Sequence, residues 1–397
     1  FTSKLSVPAD TKIAMIIMDG LGGLPRTEGG RTELETALTP NFDALAARSA
    51  LGLSVPAGPG ITVGSGPGHL ALFGYDPIRN EIGRGALEAL GVDFELGPDD
   101  IAARGNFCSL DPGGLIADRR AGRLPTEAAC QLIEKLAGIR IDGVEFHLRP
   151  VKEHRFAFVM RGAGLDDQLT DTDPQVTGVA PLAVRAKHAA SARAAAIANG
   201  FVEQARRLLA DSGPANAIML RGFARLPHLR TLPELYGLRA GAIALHGMYR
   251  GVARLAGMQV LPVPGSSLED EFTALECHWS ALDFFYLHVK KTDTYGEQGD
   301  FDGKVKAIEE VDALIPRLLA LQPDVIIIGG DHSSPAVLKS HSWHPVPVII
   351  YGANVRPDGI GEFGERACAR GSLGVLPATH LLPIALANAG RISKYGA

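Results

Sequence analysis

The chain has 397 residues, room for two domains or for one large core carrying an inserted lobe. Hydrophobic residues make up 46% of it and charged residues 21%, a globular balance that excludes a disordered or fibrous chain. The net formal charge of −5 lacks the basic footprint of a nucleic-acid binder, so an anionic ligand needs a local Arg/Lys cluster or metal ions. Cys108, Cys130, Cys277 and Cys368 form no C-x-x-C pair or metal knuckle, and buried thiols in a reducing compartment are expected. No secretory pattern opens the chain and no apolar run reaches transmembrane length, so a cytoplasmic protein without a membrane partner is expected.

In chain order, IAMIIM (13–18) is the first short apolar run, and it stops at Asp19-Gly20. Thr39-Pro40 reads as an N-cap with Pro at the first helical position, opening NFDALAARS. From 96 to 235 the texture changes. Candidate strands RGNFCSL, VEFHLRPV and RFAFVMRG mix with the helix TEAACQLIEKL and an Ala/Arg-rich helix over about 183–210, with joints such as Asp111-Pro112-Gly113-Gly114. This stretch is predicted to be an inserted α+β substrate-binding domain (96–235) in a core made of 1–95 and 236–397.

Beyond it, HGMYRGVARLAGM (246–258) has helical spacing, and FFYLHV (284–289) runs into Lys290, Lys291, Thr292 and Asp293. DGKVKAIEEVDALIPRLLAL (302–321) has helical spacing too. VIIIGG (325–330) ends at Asp331-His332, and VPVIIYG (346–352) follows His341 and His344. Short Ile/Val-rich runs without alternation fit strands buried on both faces of a parallel sheet, and their alternation with helices predicts an α/β fold.

Ligands of open parallel sheets sit outside the carboxyl ends of the strands, where Asp19, Asp293 and Asp331-His332 fall. One strand-ending Asp is usually a cap or turn residue. Three of them with His332 adjacent and His341 nearby suit a divalent cation such as Mn²⁺, Mg²⁺, Co²⁺ or Zn²⁺. In GPGITVGSGPGHLALFGYDP (58–77), glycines flank Ser65 and Pro67 is placed to begin a helix, whose N-terminus favours an anion. Taken alone, the stretch fits a glycine-rich structural turn as well as a nucleophilic serine. DGLGGLP and the Gly64–Gly68 run both fail the G-x-G-x-x-G dinucleotide spacing. Arg104, Arg119, Arg120, Arg123, Lys152, His154 and Arg155, interleaved with Asn106 and Asp118, fit an anion-binding surface better than a solvated face.

MIIMDGLGGLP, GSGPGHLALFGYDP, GRGALEALG, ARGNFCSLD, DRRAGR, VKEHRF, LTDTDPQ, HVKKTD, GGDHSSPA and HSWHPVP occur in this order from Ile13 almost to the C-terminus. Together they resemble the archaeal-type cofactor-independent phosphoglycerate mutases of the alkaline phosphatase superfamily. The resemblance implies a mostly parallel sheet between helices with a smaller substrate-binding lobe. It implies two divalent cations, Mn²⁺ foremost, and no bisphosphoglycerate. Asp19, Ser65, Asp331 and His332 would hold one metal, and Asp293 with His341 the other. Many relatives carry D-x-x-G-H where this chain has Asp293-Thr294-Tyr295-Gly296-Glu297, so Glu297 stands where a histidine ligand would be. Either it coordinates through an oxygen, which favours harder metals, or it points away and leaves that metal weakly held.

The resemblance also implies phosphoryl transfer between 3- and 2-phosphoglycerate through Ser65, with Lys290 neutralising charge beside the metals. Arg104, Asn106, Asp118, Arg119, Arg123, His154 and Arg155 would grip the glycerate. A phosphomonoester hydrolase or a small-alcohol phosphotransferase would use the same serine and metals. His344 is expected behind the ligands or at the substrate.

Overall fold

Six apolar residues without a polar break, Ile13–Met18, form β1, and every one of them is buried. The computed structural model describes residues 2–396. The chain forms two units: one takes the chain up to Glu81 and from Leu229 onward, the other spans Ile82–His228. It enters the first unit with β1 and β2 (Ala50–Val55). The second is built from β3 (Asp100–Leu110), β4 (Ile116–Asp118), β5 (Glu145–Lys152), β6 (Arg155–Arg161) and β7 (Ala217–Ala224). The return to the first supplies β8 (Ala240–Ile243), β9 (Gln259–Val260), β10 (Phe284–Val289), β11 (Val325–Gly329), β12 (Val346–Gly352) and β13 (Gly374–Pro377).

The first unit is an eight-stranded sheet in the order β13-β2-β12-β11-β1-β10-β8-β9, with helices packed against it. β1 pairs in parallel with β10 and β11, Ile17 standing level with His288 on one side and Gly329 on the other. Three strands therefore end together, and whatever follows Met18, Val289 and Gly329 emerges at one rim. That register gathers the site.

The sheet is mostly parallel, but VPVIIYG does not follow the expectation: β12 runs antiparallel to both β11 and β2. A strand buried on both faces has the same composition in either direction. The segment 302–321 is two helices, Phe301–Asp312 and Ile315–Ala320. Pro316 cannot donate to the carbonyl four residues back and its ring crowds it, so one continuous helix is broken there.

The second unit is a five-stranded antiparallel sheet in the order β4-β3-β6-β5, with β7 also pairing β3. The helix TEAACQLIEKL forms as expected, over Thr126–Leu136. The Ala/Arg-rich helix starts later than 183, at Ala192, and ends at Leu209. Residues 185–187 commit their backbone groups elsewhere: Thr170 N–H donates to Arg185 O at 3.0 Å and Lys187 N–H to Gln168 O at 2.8 Å. Cys108 and Cys368 are buried, Cys130 is half-buried, and Cys277 faces solvent, contrary to expectation, on the outer side of the Leu268–His278 helix.

Candidate active site

Asp19 follows β1 and is fully buried. Its Oδ2 accepts from Lys290 Nζ at 2.8 Å and from the Tyr249 hydroxyl, with His288 Nε2 at 3.3 Å. Its Oδ1 faces Ser65 Oγ at 3.4 Å and His332 Nε2 at 3.2 Å. Gly20 turns the chain away in the left-handed region at φ +61°, and a Cβ there would lie 2.6 Å from Ser334 Oγ, so glycine is required twice over.

Ser65 is the first residue of the Ser65–Leu72 helix, preceded by the extended Gly64 and followed two residues later by Pro67. Its Oγ lies 3.1 Å from His332 Nε2. The helix comes close enough to the β11 turn that a Cβ on Gly68 would meet Asp331 O at 2.5 Å. Glycine is therefore required at position 68.

Asp331 and His332 follow β11 and Gly330. Asp331 Oδ1 accepts from Gly20 N–H at 3.0 Å, while its Oδ2 is buried without a hydrogen-bond partner, 3.3 Å from His332 Nε2 and 3.2 Å from His69 Nδ1. His69 gives its Nδ1 proton to Ser65 O at 2.8 Å. Asp293, near the start of the Lys291–Gln298 helix, accepts from Lys290 Nζ at 2.6 Å and from Ser334 Oγ at 2.5 Å. His341 donates Nδ1–H to Val63 O at 2.9 Å, which turns Nε2 toward Asp293 Oδ1 at 3.4 Å and Glu297 Oε1 at 3.5 Å. The His341 and His332 rings stack with centroids 3.8 Å apart. The Glu297 side chain is half exposed beside them. His344 lies outside this ring of donors, its Nδ1 3.0 Å from Ser342 Oγ.

Two carboxylates here, Asp19 and Asp293, share the ammonium of Lys290. Burial disfavours charge on Lys290, but Asp19 and Asp293 outweigh it and hold the ammonium well above its ordinary range. Burial likewise opposes a charged His332, yet Asp331 and Asp19 lift it to about 9. The cluster draws positive charge toward itself. Two donor groups could hold cations: Asp19, Asp331 and His332, and Asp293, His332 and His341, with ligand atoms within 4.8 Å of one another in each. Oxygen and imidazole donors, with a buried carboxylate oxygen unsatisfied, fit hard or borderline divalent metals.

In the second unit a cavity of about 490 Å³ is lined by Arg104, Asn106, Arg119, Arg123, His154 and Arg155, with Arg84, Arg120 and Arg221 joining them. Arg119 is held by Asp173 through a double contact, Nε to Oδ1 at 3.0 Å and Nη2 to Oδ2 at 2.7 Å. Arg104 Nε donates to Glu88 at 3.0 Å. Asn106 Oδ1 and His154 Nδ1 are buried without hydrogen-bond partners, and burial beside Arg155 lowers the His154 pKa. Asp118 does not line the cavity but holds the turn between Arg119 and Arg123: its carboxylate accepts from Arg120 N–H at 2.8 Å and Gly122 N–H at 2.6 Å. A surface so rich in guanidinium suits a small polyanion.

Sequence reasoning passed over several residues now at the site. His69 lies four residues beyond Ser65, on the same face of the same helix, and His288 lies two before Lys290. Both sat inside motifs already quoted. Ser334 did as well. Tyr249 had no local signal, since its helix reads as ordinary amphipathic packing. In the second unit, Arg84 and Arg221 were missed.

A buried hydroxyl at a helix N-terminus beside donors suited to divalent cations is an arrangement that fits a metal-assisted phosphotransferase. A family model described as 2,3-bisphosphoglycerate-independent phosphoglycerate mutase matches residues 46–216. A protein of Thermus thermophilus described as a probable mutase of that kind is 51% identical, covering 99% of this chain and 98% of its own. Another of the same description, from Thermotoga neapolitana, is 49% identical, with 100% and 98% covered. Among solved structures, a protein from Pyrococcus horikoshii aligns with TM-score 0.84 at 30% identity, covering 98% of this chain and 99% of its own. A cofactor-independent phosphoglycerate mutase from Thermoplasma acidophilum aligns with TM-score 0.77 at 29% identity, covering 96% and 100%. The chain belongs to the 2,3-bisphosphoglycerate-independent phosphoglycerate mutase family. Among the described residues no helix is long and apolar enough to cross a membrane.

Proposed function

We propose that this enzyme interconverts 3- and 2-phosphoglycerate through a phosphoserine at Ser65, a step of glycolysis and gluconeogenesis in the cytoplasm. The observation that carries the proposal is Ser65 Oγ, at a helix N-terminus, within 3.4 Å of both Asp19 and His332. Asp19, Ser65, Asp331 and His332 would hold one divalent cation, and Asp293, Glu297 and His341 a second. Oxygen donors outnumber imidazoles in this set, which favours Mn²⁺ or Mg²⁺ over Zn²⁺. Cations bound there would lower the pKa of the serine hydroxyl and neutralise charge gathering on the transferred phosphoryl group.

In the first half-reaction the Ser65 Oγ–P bond forms as the P–O bond to C3 of the glycerate breaks, and the released hydroxyl regains a proton. In the second half-reaction the C2 hydroxyl takes the phosphoryl group back, and Ser65 recovers its proton. The amide N–H groups opening the Ser65–Leu72 helix face the anion. Lys290 keeps Asp19 and Asp293 apart and adds positive charge where the phosphoryl oxygens develop it. Arg104, Arg119, Arg123 and Arg155, with Asn106 and His154, are assigned the grip on the glycerate carboxylate and hydroxyls, and Asp118 the shaping of their turn. Retaining the glycerate separates a mutase from a hydrolase.

The test supplies 3-phosphoglycerate to Mn²⁺-loaded protein and follows 2-phosphoglycerate and free phosphate together. Isomer without phosphate release supports the mutase. Stoichiometric phosphate in place of isomer makes the enzyme a hydrolase.

A further inference from the structure

Lys304, on the Phe301–Asp312 helix, is among the described residues the one lysine with a fully buried side chain, and the chemistry described above makes no use of it. Its Nζ donates to Gly20 O at 2.8 Å, Ser334 O at 2.9 Å and Gly22 O at 3.0 Å. Three carbonyls match the three N–H donors of an ammonium; a neutral amine would turn a lone pair toward one of them. The carbonyls belong to two turns. Gly20 and Gly22 follow Asp19 after β1, and Ser334 follows Asp331-His332 after β11.

The same turns are laced together around this ammonium. Ser334 N–H donates to Gly22 O at 3.0 Å and Gly20 O at 3.2 Å, the acceptors Lys304 uses. Glu33, also fully buried, accepts from Leu24 N–H at 3.1 Å on the β1 turn and from Ala336 N–H at 2.7 Å on the β11 turn. The Ser334 hydroxyl reaches the third donor-bearing segment at Asp293. Ser334 is thus the point at which all three converge, and Lys304 holds its carbonyl.

We propose that Lys304 is a positioning residue: an internal cation that fastens the β1 and β11 turns together and sets the spacing of Asp19, Asp331 and His332 before any metal arrives. It acts through backbone carbonyls and touches neither substrate nor metal. The assignment rests on reading the site as a metal centre. Its consequence is that the donor turns keep their arrangement in metal-free protein, and that losing the ammonium weakens metal binding more than it weakens the fold.

The test measures Mn²⁺ binding by calorimetry for the parent protein, Lys304→Met and Lys304→Arg. Lys304→Met is expected to bind Mn²⁺ roughly tenfold to a hundredfold more weakly. Its kcat should fall while KM for phosphoglycerate holds, and Lys304→Arg, which keeps charge and donors, should recover part of the affinity. Hydrogen exchange on the chelator-treated parent needs no variant to fold. Amides of Leu21, Gly23, Leu24, Ser334 and Ala336 are expected to be as protected there as in Mn²⁺-loaded protein. Unchanged Mn²⁺ affinity in folded Lys304→Met, or rapid exchange of those amides after chelation, overturns the assignment alone. A parent protein that binds no Mn²⁺ overturns the metal reading and the assignment with it.

Discussion

His332 Nδ1 lies 3.2 Å from the Ser334 hydroxyl, and that hydroxyl gives its proton to Asp293 Oδ1 at 2.5 Å. Ser334 Oγ is therefore left to accept from His332 Nδ1–H, which turns Nε2 toward Ser65 and Asp19. With a cation bound at Nε2, such a contact would aim the imidazole without touching the metal. Ser334→Ala is expected to weaken Mn²⁺ binding roughly tenfold or more, with the thermal midpoint in chelator nearly unchanged. Calorimetric titration alongside thermal melts measures both.

Lys290 stands between two carboxylates, Asp19 Oδ2 and Asp293 Oδ2. Lys290→Met leaves two buried acids facing each other with less compensation. Its kcat is expected to fall by roughly 10²–10³ at saturating metal. The thermal midpoint should also drop in chelator and recover on adding Mn²⁺, since a cation replaces the missing charge. Melts with and without metal separate the two effects.

Arg119 is pinned by Asp173 in a double contact, whereas Arg155 at the same cavity has no carboxylate partner among the described residues. Arg155→Ala is expected to raise KM for phosphoglycerate roughly tenfold to a hundredfold, the value of one or two charge-assisted hydrogen bonds. Mn²⁺ affinity should not move. Steady-state kinetics and a metal titration on the same preparation check the pair of outcomes.

Glu271 is buried on the Leu268–His278 helix, and burial lifts its carboxyl from 4.5 to about 8 even though Leu245 N–H donates to it. Between those values the folded chain keeps a proton that the unfolded chain has released, so this group's contribution to stability falls as pH rises through the window. Glu271→Gln keeps the acceptor and removes the titration. It is expected to exceed the parent in stability by about 2 kcal/mol near pH 9, and to converge with it near pH 5. Denaturant unfolding across that range shows whether the gap opens in that direction.

The rim donors were legible because three apolar runs each stop at a carboxylate, and parallel pairing of β1 with β10 and β11 brings those stops level. The sequence showed glycines after Asp19 and around Ser65 but not what crowds them, which is the Ser334 side chain at Gly20 and the Asp331 carbonyl at Gly68. The direction of β12 was not legible, since burial on both faces erases the alternation that separates strand types. Tyr249 and Lys304 were not legible for a different reason. They reach the site from 230 residues beyond Asp19 and 284 beyond Gly20, on helices whose patterns report only packing. Pro316 was visible in the sequence, and its breaking of the 302–321 helix follows from local rules alone.

The covalent role of Ser65 is tested most directly by acid-quenching Mn²⁺-loaded enzyme during turnover of phosphoglycerate and mapping phosphate onto its peptides. A phosphoryl group on Ser65, absent after Ser65→Ala together with all isomerase activity, is the expected result. Isomerisation that persists in Ser65→Ala, or phosphate mapped to a different side chain, would contradict it.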